Sequence, residues 1–470
     1  MSFFRKWYTE KIKKRENDVR DLKELVKSGR LDLINGGLVQ HDEAGSHVKE
    51  TYENLEEGLR FLYEEFNVTP SAFWQLDPFG HSSSSPEVFK SLGINKVVLD
   101  RISDAYKNEL RIHQDLDFIW TGDGEEEIYA HVLHGMYGID LKFYFDRRWG
   151  ASHKCPNPLN EQCVKELIEE SVHQGVKVHN GVGYVMQLIG NDFFYQNADF
   201  SFNYIDGMKK SFEQYGHKFV NGAKCEFKYA TLSEYYNEVL PLNYTIGRYN
   251  GDFFVYTQYH PSNRFYDHHW GGYFASRPLI KWQIRDALSR ERSLNSLMGI
   301  LNFARNSKIS HIDSKAFWNA FSDLMDVREF SSVMLHHDAI TGTHGVTVNR
   351  DYKRIIQRNN DLLDKVEKGI TNAFTNIANH QGKITEFTFY NPSLYTRTEI
   401  YNITIGSPYV EFDKNHDEIG EIIDSYQLNQ KTFQKKSNEY ILFVKVSIPP
   451  LQHKTISIKE YSSKDQCGSR

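Results

Sequence analysis

Apolar and polar positions in the first half of the chain switch repeatedly between a helical and a strand-like period. Over residues 16–29 (ENDVRDLKELVKSG), Val19, Leu22, Leu25 and Val26 recur at helical spacing, and Gly29 suits a helix C-cap. The following LDLINGGL (31–38) predicts a short buried strand and a glycine turn. Residues 46–66 are helical again, and SAFWQLD (71–77) predicts a strand. A helix closed by Gly93 is predicted over 85–93, a strand over KVVLD (96–100), a helix over 161–175 and an apolar strand over YVMQLIG (184–190). Strands alternating with helices predict a largely parallel sheet or barrel with helices outside. In such folds chemistry collects at the C-terminal ends of strands.

The texture then changes twice. Residues 277–306, 314–335 and 349–379 are long helical stretches separated by short polar loops, the pattern of a helical bundle. After Lys383, EFTFYNPSLYTRTEIYNITI and EYILFVKVSIPPLQHKTISI alternate with period two and predict strands. The expected class is therefore multidomain: α/β, then α, then β.

Composition narrows the partners. A chain of 470 residues with 40% hydrophobic and 25% charged positions fits a soluble protein of two to four domains. A net charge of −6 supplies no basic field for phosphates, so nucleic acid is not an expected partner. No apolar run approaches the roughly 18 residues a membrane span needs. Met1 opens onto SFFRKWYTEKIKKRE, a charged amphipathic helix pattern without the apolar region of a signal peptide. Both ends read as cuts in a larger protein. Of the four cysteines, Cys155 and Cys163 bracket CPNPLNEQC and are placed to close a small loop; Cys225 and Cys467 stand apart. Sequons at Asn67, Asn243 and Asn402 tilt the reading towards the secretory pathway. The 28 Tyr, 31 Phe and 7 Trp include faces suited to sugar rings, although core filling accounts for most of them.

Candidate chemistry sits where predicted strands and helices end. In WQLDPFGHS (74–82) an apolar strand delivers Asp77 to a Pro/Gly turn. In QLIGNDFFYQNADF (187–200) another delivers Asp192. Each alone is explained by an Asx-turn or a helix cap; two in one α/β domain support a convergent carboxylate pair more than either does alone. LHHDAITGTHG (335–345) places His336, His337 and Asp338 at a helix end. Adjacent helical residues point about 100° apart, so one histidine can face a metal while its neighbour orients something else. A histidine nitrogen with carboxylate oxygens suits Zn²⁺, but one His and one Asp do not close a site. LVQHDEAGSH (38–47), with His41, Asp42 and Glu43, reads as a site wall or helix cap more than a ligand cluster. There is no HExxH, no GxSxG and no phosphate loop. Two carboxylates, a metal and abundant aromatics point to a hydrolase of polar substrates. Glycoside hydrolysis fits best, and a metal-dependent deacetylase or peptidase less well.

These motifs, with INGGLVQHDEAGSH and DFFVY…GGYFASRP (252–256 and 271–278), stand in the order found in the class II α-mannosidases, glycoside hydrolase family 38. The chain resembles that family over nearly its whole length, the lysosomal branch most closely. The resemblance implies a partial (β/α) barrel-like catalytic domain over 1–262 lacking its first strand or strands. It further implies a three-helix bundle over 263–380 carrying a zinc ligand, and the start of a β-sandwich region over 384–470. It implies retaining hydrolysis of terminal α-mannose on N-glycan oligosaccharides, with one Zn²⁺. Asp77 would be the nucleophile and a zinc ligand, Asp192 the general acid/base and His337 a zinc ligand. Phe79, Arg101, His336 and Asp338 would line the sugar pocket. The acid Asp192 should then titrate well above Asp77. A lysosomal or secretory lumen also follows from the resemblance; members of the family are often homo-oligomers, which leaves the oligomeric state of this chain open.

The sequence departs from the family pattern at one place. The family's N-terminal His-x-Asp pair, followed by Gly-Trp, supplies two further zinc ligands and is missing here, and neither His41-Asp42 nor His268-His269 stands in its context. Two of four ligands remain, so weak zinc binding and impaired activity are expected. A catalytically dead carbohydrate-binding relative is the alternative, and a metal-dependent hydrolase of another class a more distant one.

Overall fold

The computed structural model describes residues 1–137, 155–173, 179, 183–219, 226–242, 245–259, 267–306, 312–375, 384–391, 393–412, 420–423 and 440–463. The chain forms two compact units, Met1–Leu288 with Asp326–Asn360, and Ser289–Met325 with Asp361–Arg470.

The first unit is built on a five-stranded sheet, β1 (Phe73–Gln75), β2 (Lys96–Leu99), β3 (Asp117–Thr121), β4 (Glu127–Val132) and β5 (Gly247–Asn250), in the order β1-β2-β4-β3-β5. All pairings are parallel except the β3–β4 hairpin. Both faces are covered. Phe73, Val97, Leu99, Phe118, Trp120, Ala130 and Val132 pack on one side, with Phe89 and Phe253. Val98 and Tyr129 alternate to the other side, with Trp74 and Ile119 against Tyr236. Burial on both faces is why KVVL reads as a continuous apolar run and not an alternating one.

The helices of this unit are α1 (Ser2–Trp7), running into a π-helical turn over Tyr8–Ile12, then α2 (Glu16–Lys27), α3 (Val48–Phe66), α4 (Ser85–Ser91), α5 (Asp104–His113), α6 (Glu161–Val172), α7 (Ala198–Tyr215) and α8 (Leu232–Val239). Gly29 and Gly93, at φ +71° and +83°, follow the ends of α2 and α4 in the left-handed conformation expected of helix stops. Cys155 and Cys163 form a disulfide beside the core shared by α6 and α7. Cys225, Cys467 and the Asn243 sequon lie outside the described residues.

Two predicted strands are not strands. Residues 31–38 are irregular: their backbone bonds go to separate partners and build no ladder. Asn35 N–H donates to Ala72 O (3.0 Å) and Leu38 N–H to Asn54 O (3.2 Å). Residues 184–190 are likewise irregular and pair with no strand among the described residues, so an apolar run alone does not make a ladder.

A short pair, β6 (Thr257–Tyr259) with β7 (Asp267–His269), precedes three long helices, α9 (Pro278–Asn306), α10 (Ser314–Val333) and α11 (Val346–Thr375). Ile280, Ile284 and Leu288 of α9 and Ile356 of α11 pack with Leu335, Ala339 and Ile340 in the first unit. That cluster anchors the LHHDAI turn. In the second unit, β8 (Ile384–Tyr390), β9 (Arg397–Ile405), β10 (Tyr409–Phe412), β11 (Gly420–Ile423), β12 (Tyr440–Ile448) and β13 (His453–Tyr461) form antiparallel sheets ordered β10-β13-β8 and β11-β12-β9. Ile403, Leu442, Val444 and Val446 of one sheet share a core with Ile456, Ile458 and Phe387 of the other. The architecture is mixed α/β. No helix among the described residues is long and apolar enough to cross a membrane.

Candidate active site

Parallel pairing of β1 with β2 aligns Gln75 with Leu99, so two residues beyond the ladder Asp77 and Arg101 leave the sheet side by side. Arg101 Nε donates to Asp77 Oδ1 at 2.6 Å. Gly80 N–H donates to Arg101 O at 3.1 Å and fastens the turn between them. Gly80 itself has φ +95°, and a Cβ there would stand 2.7 Å from Phe253 O, so only glycine fits this turn.

The LHHDAI turn reaches the same carboxylate from the other side. Leu335, Ala339 and Ile340 are buried and fix the turn, while His337 projects from it. His337 Nδ1–H donates to Gln40 O at 2.9 Å, and Nε2–H to Asp77 Oδ2 at 2.8 Å. Both ring nitrogens face acceptors, which favours the imidazolium. Burial opposes it, but the bond to Asp77 and the charges of Asp77 and Asp338 prevail, and the His337 pKa is raised. For Asp77, burial alone would raise the pKa. The His337 bond and the Arg101 charge outweigh it and hold the carboxyl below its usual range. His336 stacks on His337 with ring centres 4.1 Å apart and accepts the Asp338 N–H at its Nδ1 (3.0 Å). Burial, reinforced by the His337 charge, pushes the His336 pKa down to about 4. Asp338 Oδ1 accepts from Thr343 Oγ1 at 2.6 Å.

Asp192 is exposed and follows the irregular 184–190 segment. Its neighbours Phe193 and Tyr195 both adopt φ 61°, a left-handed conformation costing roughly 1 kcal/mol or more per residue. Partial burial, then the negative charges of Asp77 and Asp338, raise the Asp192 pKa. Two carboxyls in electrostatic reach of one another are thus displaced in opposite directions.

Phe79 packs against Trp270 (4.9 Å), Tyr273 (5.2 Å) and the His337 ring (6.1 Å). The Arg101 guanidinium lies 5.2 Å from the Trp270 ring centre and 5.5 Å from Phe79. The structure therefore gathers Asp77, Phe79, Arg101, His336, His337 and Asp338 in one place, with Asp192 coupled to them by charge. Sequence reading gave no role to Trp270, Tyr273 or Gln40. The first two stand in HHWGGYF, whose glycines and aromatics were the only signal.

The LVQHD segment is a wall. Asp42 N–H donates to Leu335 O (2.9 Å), and His41 pairs with His336 as a β-bridge. Glu43 supports the Asp77 turn: Oε1 accepts from His81 Nδ1 (2.8 Å) and Oε2 from Ser82 N–H (2.9 Å). Burial would raise Glu43, but the His81 charge and bond keep its pKa lowered. His41 is neutral in the fold, with burial pushing its pKa down to about 4. The sign of the linkage follows. Unfolded His41 takes its proton near pH 6.5 and folded His41 only near 4, so stability falls as pH drops through that window. The loss is on the order of 3 kcal/mol when complete. Glu43, depressed in the fold, adds a loss at the acid end of the same range. Urea midpoints measured from pH 7 to 4.5 should fall, and His41→Gln should flatten the drop. An unchanged slope would remove His41 as its cause.

The donor set fits a divalent cation. His336, His337 and Asp338 offer ligand atoms within 4.8 Å of one another, and Asp77 Oδ2 faces His337 Nε2. An ion in place of the Nε2 proton would leave a neutral ring whose other N–H stays fixed by Gln40, the arrangement a ligating histidine requires.

The chain matches the family described as "Glycosyl hydrolases family 38 N-terminal domain" over residues 1–259. Among solved structures it is similar to an alpha-mannosidase from Enterococcus faecalis V583, with TM-score 0.64 and 14% identity over 97% of this chain and 51% of that one, a likeness of fold. Curated relatives include alpha-mannosidase F of Dictyostelium discoideum, 28% identical over 90% of this chain and 38% of its own length. The lysosomal alpha-mannosidase of the same organism is 28% identical over 75% of this chain and 33% of its own length. A strand-end carboxylate site on a mixed α/β unit, with these relatives, defines a glycoside hydrolase class of protein. The chain belongs to glycosyl hydrolase family 38. It spans about a third of the length of those curated relatives.

Proposed function

We propose that this chain carries the catalytic centre of a retaining, zinc-dependent exo-α-mannosidase acting on terminal α-mannose of N-glycan oligosaccharides. The observation that carries the reading is the pair of carboxyls pushed apart, Asp77 down and Asp192 up. Asp192, protonated, gives its proton to the glycosidic oxygen while ionised Asp77 attacks the anomeric carbon. A mannosyl ester on Asp77 forms as the aglycone leaves. Asp192, now a carboxylate, deprotonates water, which attacks the same carbon and releases mannose with retained configuration. Arg101 and His337 hold Asp77 ionised and aimed, and Phe79 with Trp270 forms an aromatic wall beside it. His336 and Asp338 line the pocket for sugar hydroxyls. Asp77 and His337 would hold the zinc ion, which supplies Lewis-acid binding of ring hydroxyls. Two donors from this chain give weak affinity and low turnover. The five-stranded sheet is read as part of a (β/α) barrel. The exposed sequon at Asn67, the Cys155–Cys163 disulfide and the lysosomal relative support a lysosomal or secretory lumen.

The test is hydrolysis of 4-nitrophenyl α-mannoside by the purified chain with added zinc or a chelator. Slow release that rises with zinc and disappears on chelation is expected. No release at saturating zinc, with mannose still bound, would replace this reading with that of a carbohydrate-binding relative.

A further inference from the structure

A general acid stands on the side of the leaving group, because its proton goes to the oxygen between the cleaved sugar and the next one. With Asp192 in that role, the sugar chain released from mannose passes over the surface beside Asp192.

A row of aromatic rings begins three residues past Asp192. Tyr195 precedes α7, Phe202 lies on α7, and Tyr229 lies just before α8. The ring centres of Tyr195 and Phe202 are 5.6 Å apart, and those of Phe202 and Tyr229 are 6.3 Å apart. The three residues are 37%, 50% and 48% exposed, so their faces are open to a ligand. The core side of α7 is made by other residues, Tyr204, Ile205, Met208 and Phe212. Both tyrosine hydroxyls are tied back to the protein. Tyr195 Oη donates to Ile189 O, and Tyr229 Oη donates to Asp206 Oδ1 at 2.9 Å.

All three rings line one cavity of about 840 Å³. Sites for small organic ligands span roughly 300–1,000 Å³. Glu234 and Glu238 line the same cavity. Glu238 Oε2 accepts from the Tyr184 hydroxyl at 3.2 Å, and Glu234 Oε2 from Thr231 N–H at 2.7 Å. A carboxylate has further lone pairs with which to accept a hydroxyl. Contiguous half-exposed rings mark a contact surface more than a core. Rings beside carboxylate acceptors match a guest with apolar C–H faces and hydroxyl edges, which describes a pyranose. The carboxylates oppose an anionic guest.

We propose, resting on the assignment of Asp192 as the acid, that Tyr195, Phe202 and Tyr229 form a stacking track for the aglycone side of a neutral manno-oligosaccharide. The track sets a preference for extended glycans over short mannosides.

The test is isothermal titration calorimetry on the full chain with zinc, carrying Asp192→Asn, which cannot protonate the leaving oxygen. The ligands are methyl α-mannoside and linear α-mannotetraose. The tetraose should bind more tightly, and adding Phe202→Ala should lower the ratio of the two affinities by about fivefold or more, the weight of one aromatic contact. Phe202→Trp, which keeps a ring face, should preserve the ratio. A tetraose no tighter than the methyl glycoside, no binding of either, or a ratio unmoved by Phe202→Ala overturns the proposal. If Phe202→Ala does not fold, Tyr229→Leu, on a different segment, decides by the same ratio. Turnover of 4-nitrophenyl α-mannoside by the wild type is read separately, since that substrate has no sugar to lay on the track. No turnover with the tetraose preference intact sinks the catalytic reading alone, and turnover without the preference sinks the track alone.

Discussion

Asp77→Asn is expected to lower kcat on an aryl α-mannoside by about 10⁴-fold or more, the scale seen when a group that acts as a unit with its neighbours is removed. Asparagine keeps the shape, and its amide oxygen can still accept from Arg101 Nε as Asp77 Oδ1 does at 2.6 Å. It cannot form the ester. It also withdraws the negative charge that holds His337 as an imidazolium, so the His337 pKa should fall towards or below its usual value. The fold should survive, since Asp77 is only part-buried and the core beneath it is apolar. Kinetics should therefore be read beside circular dichroism and, on the zinc-free protein, the NMR titration of the His337 ring. Turnover above about one per cent of wild type, with the fold intact, would remove Asp77 as nucleophile. Loss of turnover without any shift of the His337 titration would mean the pair is not coupled as the 2.8 Å contact requires.

Much of the frame was legible in the sequence because it rests on local period. Helices α2, α3, α4 and α9 to α11 and strands β1, β2, β8, β9, β12 and β13 fall where apolar spacing places them. The two failures, 31–38 and 184–190, are apolar runs whose state depends on a neighbouring edge that period cannot reveal. The site divides in the same way. Asp77 and Asp192 were visible as acids beyond apolar runs, and His337 as one of an unusual trio. Arg101 and Phe79 came only from the family resemblance, since nothing local distinguishes an arginine after KVVLD. Glu43 was placed only in a site wall or helix cap, and its pairing with His81, like Gln40 and Trp270, went unread because the partners lie far along the chain; Gln40 and His337 are 297 residues apart.

Asp192→Ala should separate the two halves of the reaction. General acid–base catalysis is worth about 10²- to 10⁴-fold, and its loss is felt in proportion to how badly the leaving group needs a proton. With 4-nitrophenyl α-mannoside the first step should slow strongly. With a 2,4-dinitrophenyl aglycone, which departs as a stabilised anion, it should slow far less, and breakdown of the mannosyl ester should become limiting. Azide, a nucleophile that needs no base, should then restore turnover and yield α-mannosyl azide. The pH profile gives an independent readout. In the wild type, kcat/KM should fall as pH rises through the Asp192 pKa, which burial and the charges of Asp77 and Asp338 hold above the ordinary range. In the alanine variant that alkaline limb should vanish, because the group that titrates is gone. A limb that persists would place the acid on another residue. An equal loss with both aglycones, without azide rescue, would show that Asp192 acts on binding and not on the proton.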